Sequence, residues 1–198
     1  MDDALASQEQ VAFLNEHFRS MPQIIEFSNR EFYSGALRIM TARPETLRER
    51  AVEIRNVSGH RAPSGVNATE AQALIEELMK RIDSQRSLDA AVCHSIGVLS
   101  PFRDQVDYLS KAILDRVELD TIEKHDLLIG TPYSFQGEER DVMLLSLAVD
   151  ADSHPMSFRY LSQADVFNVS ITRARDYQIV SPPSLGTTCR NTVSSCAT

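Results

Sequence analysis

The sequence predicts an α/β domain in which a mainly parallel sheet is covered by helices on both faces. Two apolar runs, residues 127–130 and 142–149, have the length of strands but lack the polar alternation of a strand with one wet face. A third run, residues 177–180, follows a segment with helical character. Continuous apolar strands that alternate with helices are typical of parallel sheets buried on both sides.

The first part of the chain predicts a short strand from Val11, a helix and a second strand. Ser20 and Gln23 have the spacing of a capping box, and Gly35 is suited to end the helix that they begin. Residues 51–57 alternate weakly and are predicted as a strand. The loop SGHRAPSG follows, and Arg61 within it is predicted to be solvated.

The middle of the chain predicts two helices on either side of a buried strand. Asn67 and Glu70 form a second capping-box pattern before the first of these helices. Residues 91–99 are predicted as the strand, with Cys93 as a buried thiol beside it. The apolar positions at helical spacing are Ala71, Leu74, Ile75, Leu78 and Ile82 in the first helix, and Val106, Leu109, Ile113 and Val117 in the second.

The last third of the chain predicts a polar loop, a helix, a strand and a tail. Residues 150–160 are predicted as the loop, and Ser162 and Asp165 suit the start of a helix that carries Arg173 and Arg175. After the strand at 177–180 the chain is rich in Ser, Thr and Pro without apolar periodicity. We therefore expect one domain over residues 1–183 and a disordered tail over residues 184–198.

Composition favours a globular protein without a membrane segment. The chain has 198 residues, of which 42% are hydrophobic and 24% charged, which is ordinary for a soluble domain. No run has the length of a transmembrane helix, and the start MDDALASQEQ is unlike a signal or transit peptide. These features predict a cytoplasmic location and no membrane partner. The three cysteines lack metal-site spacing, so no metal site is predicted.

The net charge of −8 argues against a dedicated duplex-binding protein, because such proteins usually present a basic face. An acidic domain can still bind a strand through backbone amides, helix N-termini and a few arginines. We therefore expect weak affinity for nucleic acid from this chain alone.

A polar turn between the first two apolar runs concentrates the side chains that can do chemistry. It contains Ser134, Gln136, Gly137, Glu138, Glu139 and Arg140. The glycine permits a positive φ and close approach of another backbone. Since ligands of open α/β sheets bind at the carboxyl ends of the strands, we expect the turn and the arginines of the predicted helix at that edge. The alternative for Glu138, Glu139 and Arg140 is an ordinary solvated turn, and Glu139 is expected to be solvated.

Four segments resemble motifs of superfamily 1 helicases. TPYSFQGEERDVMLLSLA, with its SFQG-x-E string, resembles motif V, and FNVSITRAR resembles motif VI. IGVLSPFRDQVDYL is similar to motif IV, and LNEHFRSMPQIIEFSNREFYSGAL to an aromatic–Arg segment of the group that contains the RNA-surveillance helicases and their DNA relatives. All four belong to the second RecA-like domain of these motors. The resemblance therefore implies a RecA-like, three-layer domain of the P-loop NTPase fold.

The resemblance also implies a group of residues that faces a nucleotide. Phe18 stands where the family usually has Tyr, so adenine stacking carries over but the hydroxyl does not. Arg19 and Arg173 match arginines that face the phosphates and are the implied catalytic residues, whereas Arg175 is expected to pair with an acidic neighbour or to reach the strand. The implied cofactor-binding residues are Phe18, Gln136, Gly137 and Glu138. The alternative is that Phe18 is a core residue and Arg19 a solvated charge.

A second group is implied to contact single-stranded DNA or RNA. Its members are Ser100, Pro101, Phe102 and Thr131. A hydroxyl beside a helix N-terminus suits a phosphate, so the chemistry fits the resemblance. The alternative is that Ser100 simply caps the helix, and a cap and a phosphate contact can coexist.

The sequence contains no G-x-x-x-x-G-K-[ST] and no strand that ends in paired acidic residues. ATP and Mg²⁺ are therefore expected to be bound mainly by a P-loop-bearing first domain that is absent from this chain. The resemblance implies the C-terminal motor half of an ATP-dependent helicase, inactive as an ATP hydrolase by itself. The alternative is a non-enzymatic helicase-like module that binds nucleic acid or a protein partner.

Overall fold

A five-stranded sheet, parallel throughout, forms the centre of the domain. The computed structural model describes residues 15–181. The strands, in spatial order, are β3 (Val52–Ile54), β7 (Ala174–Ser181), β6 (Arg140–Ser146), β4 (Ile96–Leu99) and β5 (Leu128–Gly130). Every neighbouring pair in this sheet is parallel, and a separate two-stranded parallel sheet pairs β1 (Glu16–His17) with β2 (Arg38–Ile39). The predicted α/β class with a parallel sheet is confirmed.

Helices cover both faces of the five-stranded sheet. They are α1 (Pro22–Tyr33), α2 (Ala68–Ser84), α3 (Arg103–Leu114), α4 (Leu119–Lys124), α5 (Pro155–Leu161) and α6 (Ala164–Ile171). One apolar cluster contains residues of α2 and α3, among them Leu74 and Leu109. A second cluster contains Ile24 of α1, Leu161 of α5 and Ile171 of α6. The domain thus has the three layers that the sequence predicted.

The packing of strand β6 explains why the apolar run that begins at residue 142 has no alternating polar positions. Val142 and Leu144 pack in the cluster of α2 and α3, whereas Met143 and Leu145 pack in the cluster of α1 and α5. All four residues are buried. Because successive side chains of a strand point to opposite faces, a strand covered on both sides is apolar at every position.

The predicted capping box of α1 does not form. Met21, not Ser20, precedes the helix, and it supplies no side-chain cap. The Ser20 hydroxyl is buried without a hydrogen-bond partner, and Oε1 of Gln23 accepts the N–H groups of Ala51 (2.8 Å) and Val52 (3.0 Å). A tertiary contact with the edge strand β3 therefore takes the side chain that the local pattern assigned to the cap. The predicted end is confirmed, since Gly35 has a φ of +74°.

Two further predictions differ from the structure. The strand predicted over residues 91–99 begins only at Ile96, and Ala90–Val92 before it forms a 3₁₀ turn. Cys93, which was predicted as a buried thiol, is half-buried. The loop predicted over residues 150–160 contains helix α5, whose N-terminus is capped by the His154 imidazole accepting the N–H of Met156 (3.2 Å). Both patterns are too short for apolar periodicity to separate helix from loop.

The predicted domain end at residue 183 and the predicted tail over residues 184–198 lie outside the described residues. Within residues 15–181 no helix has both the length and the apolar character needed to cross a membrane.

A buried carboxylate ties α2 to the end of β6. The side chain of Asn67 accepts the N–H of Glu70 (3.1 Å), which confirms Asn67 as the N-cap. The reciprocal bond of the predicted capping box does not form, because the N–H of Asn67 donates to Oε1 of Gln105 (2.9 Å). The carboxylate of Glu70 is itself buried, and it accepts the hydroxyl of Ser146 (2.9 Å) and the N–H of Ala148 (3.2 Å). Burial raises the pKa of Glu70 to about 7, although these hydrogen bonds act in the opposite direction.

This carboxylate makes stability depend on pH with a definite sign. Because the pKa in the folded chain lies above the unfolded value of 4.5, the folded state holds the Glu70 proton more tightly than the unfolded state does. We expect the free energy of unfolding of the wild type, relative to Glu70→Gln, to fall by about 3 kcal/mol between pH 4.5 and 7. Urea denaturation at several pH values measures this difference.

Glu76→Gln, at an exposed position of the same helix, is the matched control and should keep the wild-type pH profile. Parallel profiles of the wild type and Glu70→Gln would contradict the assignment of a proton-sensitive buried carboxylate.

Candidate functional site

The predicted site residues lie at two opposite edges of the sheet. Arg173 precedes β7, and residues 136–138 precede β6, so both lie at the amino-terminal edge. Residues 100–102 follow β4 and Thr131 follows β5 at the carboxyl-terminal edge. The prediction that the polar turn and the arginines lie at the carboxyl ends was therefore wrong. Because β5 and β6 are parallel strands of one sheet, the chain between them must return to the opposite edge.

The returning segment, residues 131–139, is tightly packed. Phe135 is fully buried in the apolar cluster that also contains Met143. A Cβ added to Gly97 of β4 would come within 2.9 Å of the Phe135 ring and would overlap the sulfur of Met143, so only glycine leaves room for this ring. Gly137, two residues after Phe135, has a φ of +84°, and the positive φ predicted for this turn is confirmed.

Arg140 fixes the far end of this segment. Its side chain is 7% exposed, and its Nε donates to the carbonyl oxygen of Asp126 (2.7 Å). Its Nη1 donates to the carbonyl oxygen of Glu139 (2.6 Å) and to the carboxylate of Glu138 (2.9 Å). The solvated-turn alternative is thus wrong for Arg140. The carboxylate of Glu138, a predicted cofactor-binding group, is paired with Arg140.

Arg173 is held against the same segment. Its Nη1 donates to the carbonyl oxygens of Phe135 (3.3 Å) and Glu138 (3.5 Å), and its Nε donates to that of Val169 (3.2 Å). These acceptors are neutral, and within residues 15–181 the guanidinium of Arg173 has no ion-pair partner. Arg173 therefore carries a half-buried positive charge that no carboxylate contacts.

Arg19 brings a second guanidinium to this place. Its Nη2 donates to the carbonyl oxygen of Thr172 (2.9 Å), its Nη1 lies 3.4 Å from the carboxylate of Glu139, and its Nε is buried without a partner. Burial, and then the positive charge of Arg19, lower the pKa of the Arg173 guanidinium, whereas Glu139 acts in the opposite direction. Glu139 is thus paired with Arg19 alone and acts on Arg173 only through space, so this place carries an excess of positive charge, which attracts anions. Neither Arg19 nor Glu139 is simply a solvated residue.

The segment before α1 places an exposed aromatic residue next to Arg19 in the chain. The N–H of Ser20 donates to Nε2 of His17 (2.9 Å), and burial followed by the charge of Arg19 lowers the pKa of this imidazole. Both observations indicate a His17 ring without a proton on Nε2. Phe18 stands between His17 and Arg19 and is 66% exposed, so the alternative that Phe18 is a core residue is wrong.

The arginines of motif VI were predicted to lie on a helix, and this prediction was wrong. Helix α6 ends at Ile171, where the Thr172 hydroxyl donates to the carbonyl oxygen of Asn168 (2.7 Å). Arg173 lies in the connection, and Arg175 lies on β7 because pairing with β6 extends the strand back to residue 174. The Arg175 guanidinium is 3.3 Å from the carboxylate of Asp141, which confirms its predicted acidic partner.

At the carboxyl-terminal edge, much of the predicted group is buried. Ser100 is fully buried, and its Oγ accepts the N–H of Phe102 (3.3 Å). Pro101 is also buried. Helix α3 begins after Phe102 without a side-chain cap, so the alternative that Ser100 caps this helix is wrong. Thr131 is half-buried, and its N–H donates to the Ser134 hydroxyl (3.3 Å).

The ring of Phe102 is enclosed by residues that are distant in the sequence. The guanidinium carbon of Arg61 lies 4.1 Å from the ring centroid, and the ring of Tyr160 lies at 5.8 Å. Arg61 also donates to the carbonyl oxygen of Gly65 and to the hydroxyl of Ser157, both at 3.1 Å. The prediction of a solvated Arg61 was wrong, and its partners are too far along the chain for a local pattern to reveal.

Comparison with known proteins matches this architecture. A family model described as "AAA domain" matches residues 1–181. The chain is 27% identical over 198 residues to the DNA polymerase alpha-associated DNA helicase A of Saccharomyces cerevisiae, covering 87% of this chain and 28% of that protein. It is 24% identical over 184 residues to the helicase sen1 of Schizosaccharomyces pombe, covering 86% of this chain and 10% of that protein.

The chain belongs to this AAA domain family. Its resemblance to the C-terminal domain of superfamily 1 helicases is confirmed by these relatives. A solved structure, the C-terminal domain of a possible DNA helicase from Lactobacillus plantarum WCFS1, is similar with a TM-score of 0.47 and 13% identity, covering 86% of this chain and 90% of that one. The chain spans less than a third of the length of the curated relatives that it matches.

One residue of the arginine site was missed although the motif contained it. Glu139 is the last letter of the SFQG-x-E string, whereas the prediction selected Glu138 at the variable position. In this AAA domain it is Glu139 that contacts Arg19, and Glu138 pairs with Arg140. The signal that could have identified Glu139 is its place as the final glutamate of the SFQG-x-E string.

We expect the buried clamp at Arg140 to be required for stability. Arg140→Ala leaves the carbonyl oxygens of Asp126 and Glu139 without their charged donor, so the free energy of unfolding should fall by about 3 kcal/mol. Arg175→Ala, which removes a half-exposed ion pair, is the control. It should lower the free energy of unfolding by less than about 1 kcal/mol. Equal losses in urea denaturation would show that Arg140 is not a clamp.

Proposed function

We propose that this domain supplies Arg19 and Arg173 to the phosphates of ATP in an ATP-dependent DNA or RNA helicase. ATP and Mg²⁺ would be held mainly by a P-loop-bearing first domain. The observation that carries the proposal is the clustering of two guanidinium groups: Arg19 is paired with the carboxylate of Glu139, and Arg173 has no ion-pair partner within residues 15–181. A guanidinium presents paired donors in a fixed plane, and this suits phosphate oxygens better than an ammonium group does.

The residues present fit the phosphate and base parts of ATP but not its metal. Nε of Arg19 is a buried donor without a partner, and the ring of Phe18 beside it is exposed for stacking on a base. No group of three or more metal-ligating side chains occurs within residues 15–181, so Mg²⁺ is assigned to the first domain. Bound ATP would supply the phosphoryl group whose transfer drives the motor.

The segment before β6 offers a route of coupling between this nucleotide site and the opposite edge. Arg173 donates to the carbonyl oxygens of Phe135 and Glu138, and the same segment begins at Thr131 on the other edge. We assign Gln136 and Gly137 to this coupling through their exposed position in the turn. Movement of Arg173 toward a phosphate would therefore act directly on the backbone that leads to Thr131.

The carboxyl-terminal edge is the proposed track for single-stranded nucleic acid. Thr131 offers a hydroxyl at this edge. Helix α3 begins at the same edge without a side-chain cap, so the first N–H groups of α3 are available to a phosphate. Ser100, Pro101 and Phe102 act by holding this helix start in place, since Ser100 and Pro101 are buried. We propose the domain limits 1–183 and a cytoplasmic location on the sequence alone.

A second candidate is a non-enzymatic helicase-like module that binds nucleic acid or a protein partner. The net charge of −8 and the lack of a P-loop within the 198 residues favour it. The arginine pair favours the motor, because a scaffold has no need of two guanidinium groups at one place.

The motor proposal predicts a specific effect of Arg173→Lys in the chain joined to a P-loop-bearing first domain. Charge on the transferring phosphoryl group is stabilised by an arginine, so kcat for ATP should fall by about 10³-fold or more. Nucleotide affinity should change by less than about tenfold, since the contact is made mainly in the transition state. Steady-state phosphate release and nucleotide titration measure the two quantities.

Arg175→Lys is the matched control, because Arg175 lies two residues after Arg173, at the start of β7, and pairs with Asp141. It should keep most of the activity, and the chain without a first domain should release no phosphate. An essential Arg175 with a dispensable Arg173 would overturn the assignment and favour the non-enzymatic module.

The proposed track predicts weak binding of single strands with a shallow salt dependence. Only a few phosphates should be neutralised, so the slope of log K against log salt should be shallow, at about −0.7 for each neutralised phosphate. Thr131→Val should weaken binding several-fold, because it removes a hydroxyl without changing the size of the side chain. Fluorescence anisotropy with a labelled oligonucleotide measures both, and tighter binding of a duplex of equal length would contradict the proposal.

A further inference from the structure

Tyr133 presents an aromatic ring to solvent at the start of the segment that crosses the sheet. The residue is 67% exposed and lies two positions after Thr131. Within residues 15–181 its ring takes part in no aromatic pair and in no cation–π contact. An exposed ring of this size has apolar surface available to a ligand.

The backbone beneath this ring is fixed. The carbonyl oxygen of Tyr133 accepts the N–H of Gln136 (3.2 Å), and that of Thr131 accepts the N–H of Ser134 (2.9 Å). Phe135 is fully buried, and Ser134 lies so close to Gly130 that a Cβ on this glycine would meet the Ser134 Cβ at 2.5 Å. A ring that projects from a rigid turn loses little conformational freedom when it binds.

The aromatic residue that the motif resemblance assigned to this edge is not free. One face of the Phe102 ring is covered by the guanidinium of Arg61 at 4.1 Å, and Tyr160 packs against the ring at 5.8 Å. Phe102 is thus partly buried and has less open surface than Tyr133. Tyr133, in contrast, lies two residues after Thr131 in the chain and is open to solvent.

We propose that Tyr133 stacks on a base of single-stranded nucleic acid whose backbone passes Thr131. This inference rests on the proposed single-strand track and names the side chain that contacts the bases. Stacking accepts any base, because every base has a π-face, so it adds affinity without sequence preference. It also adds affinity without phosphate neutralisation, which suits a domain with a net charge of −8.

The experiment compares variants at Tyr133 on two strands of equal length and charge, an oligothymidylate and the same strand with abasic sites. Tyr133→Ala should weaken binding of the oligothymidylate by about tenfold and leave binding of the abasic strand unchanged. The loss should be the same factor at every salt concentration, so the salt slope stays that of the wild type. Tyr133→Phe should bind both strands like the wild type, because it keeps the π-face and removes only the hydroxyl.

Tyr108→Ala is the matched control, since Tyr108 is an exposed tyrosine on α3, more than a turn beyond its first residue, and should bind like the wild type. Equal binding by Tyr133→Ala and the wild type, or an equal loss on the abasic strand, would overturn the stacking role and leave the single-strand track intact. Failure of the wild type to bind either strand would overturn the track itself and the stacking with it.

Discussion

The burial of Phe135 over Gly97 is the constraint on which the geometry of both edges depends. Parallel strands oblige the chain to return from the end of β5 to the start of β6, and the shortest return lies across the sheet. The missing side chain of Gly97 makes room for the Phe135 ring, and this ring then fixes where the returning segment lies. Thr131 is thereby left at one edge, and residues 136–139 at the other.

At the amino-terminal edge this fixed backbone organises the charges. The carbonyl oxygens of Phe135 and Glu138 hold Arg173, and Arg140 holds the carboxylate of Glu138 away from it. Glu139 is then the acid that faces Arg19. Positive charge accumulates because most acceptors of the arginine pair are neutral carbonyl oxygens. An acidic domain thus carries a local excess of positive charge, and its net charge of −8 gives no sign of this.

The carboxyl-terminal edge presents a different set of groups. They include a threonine hydroxyl, the amides of an uncapped helix start and the exposed Arg103 that begins α3, whereas the Arg61 guanidinium there covers the ring of Phe102. An exposed ring at Tyr133 complements such a surface, since stacking does not depend on charge. The two edges therefore present different chemical groups while sharing one stretch of backbone.

The sequence by itself determined the fold class, the layers and the motif residues. Periodicity reports burial directly, so the doubly covered strand β6 and the amphipathic helix α2 were predicted correctly. The resemblance to helicase motifs also indicated Arg19 and Arg173, although it did not show that the two are neighbours in the fold. Only the tertiary structure decided that Gln23 serves β3 instead of capping α1, because both uses satisfy backbone N–H groups.

The tertiary structure alone also decided which edge each motif occupies, which glutamate faces the arginines, and which aromatic ring is open. Those outcomes depend on contacts between residues far apart in the chain, such as Arg61 with Phe102 and Arg19 with Glu139. Local propensity contains no information on such pairs. They are fixed by strand order and by the volume of single side chains, which act only once the sheet has formed.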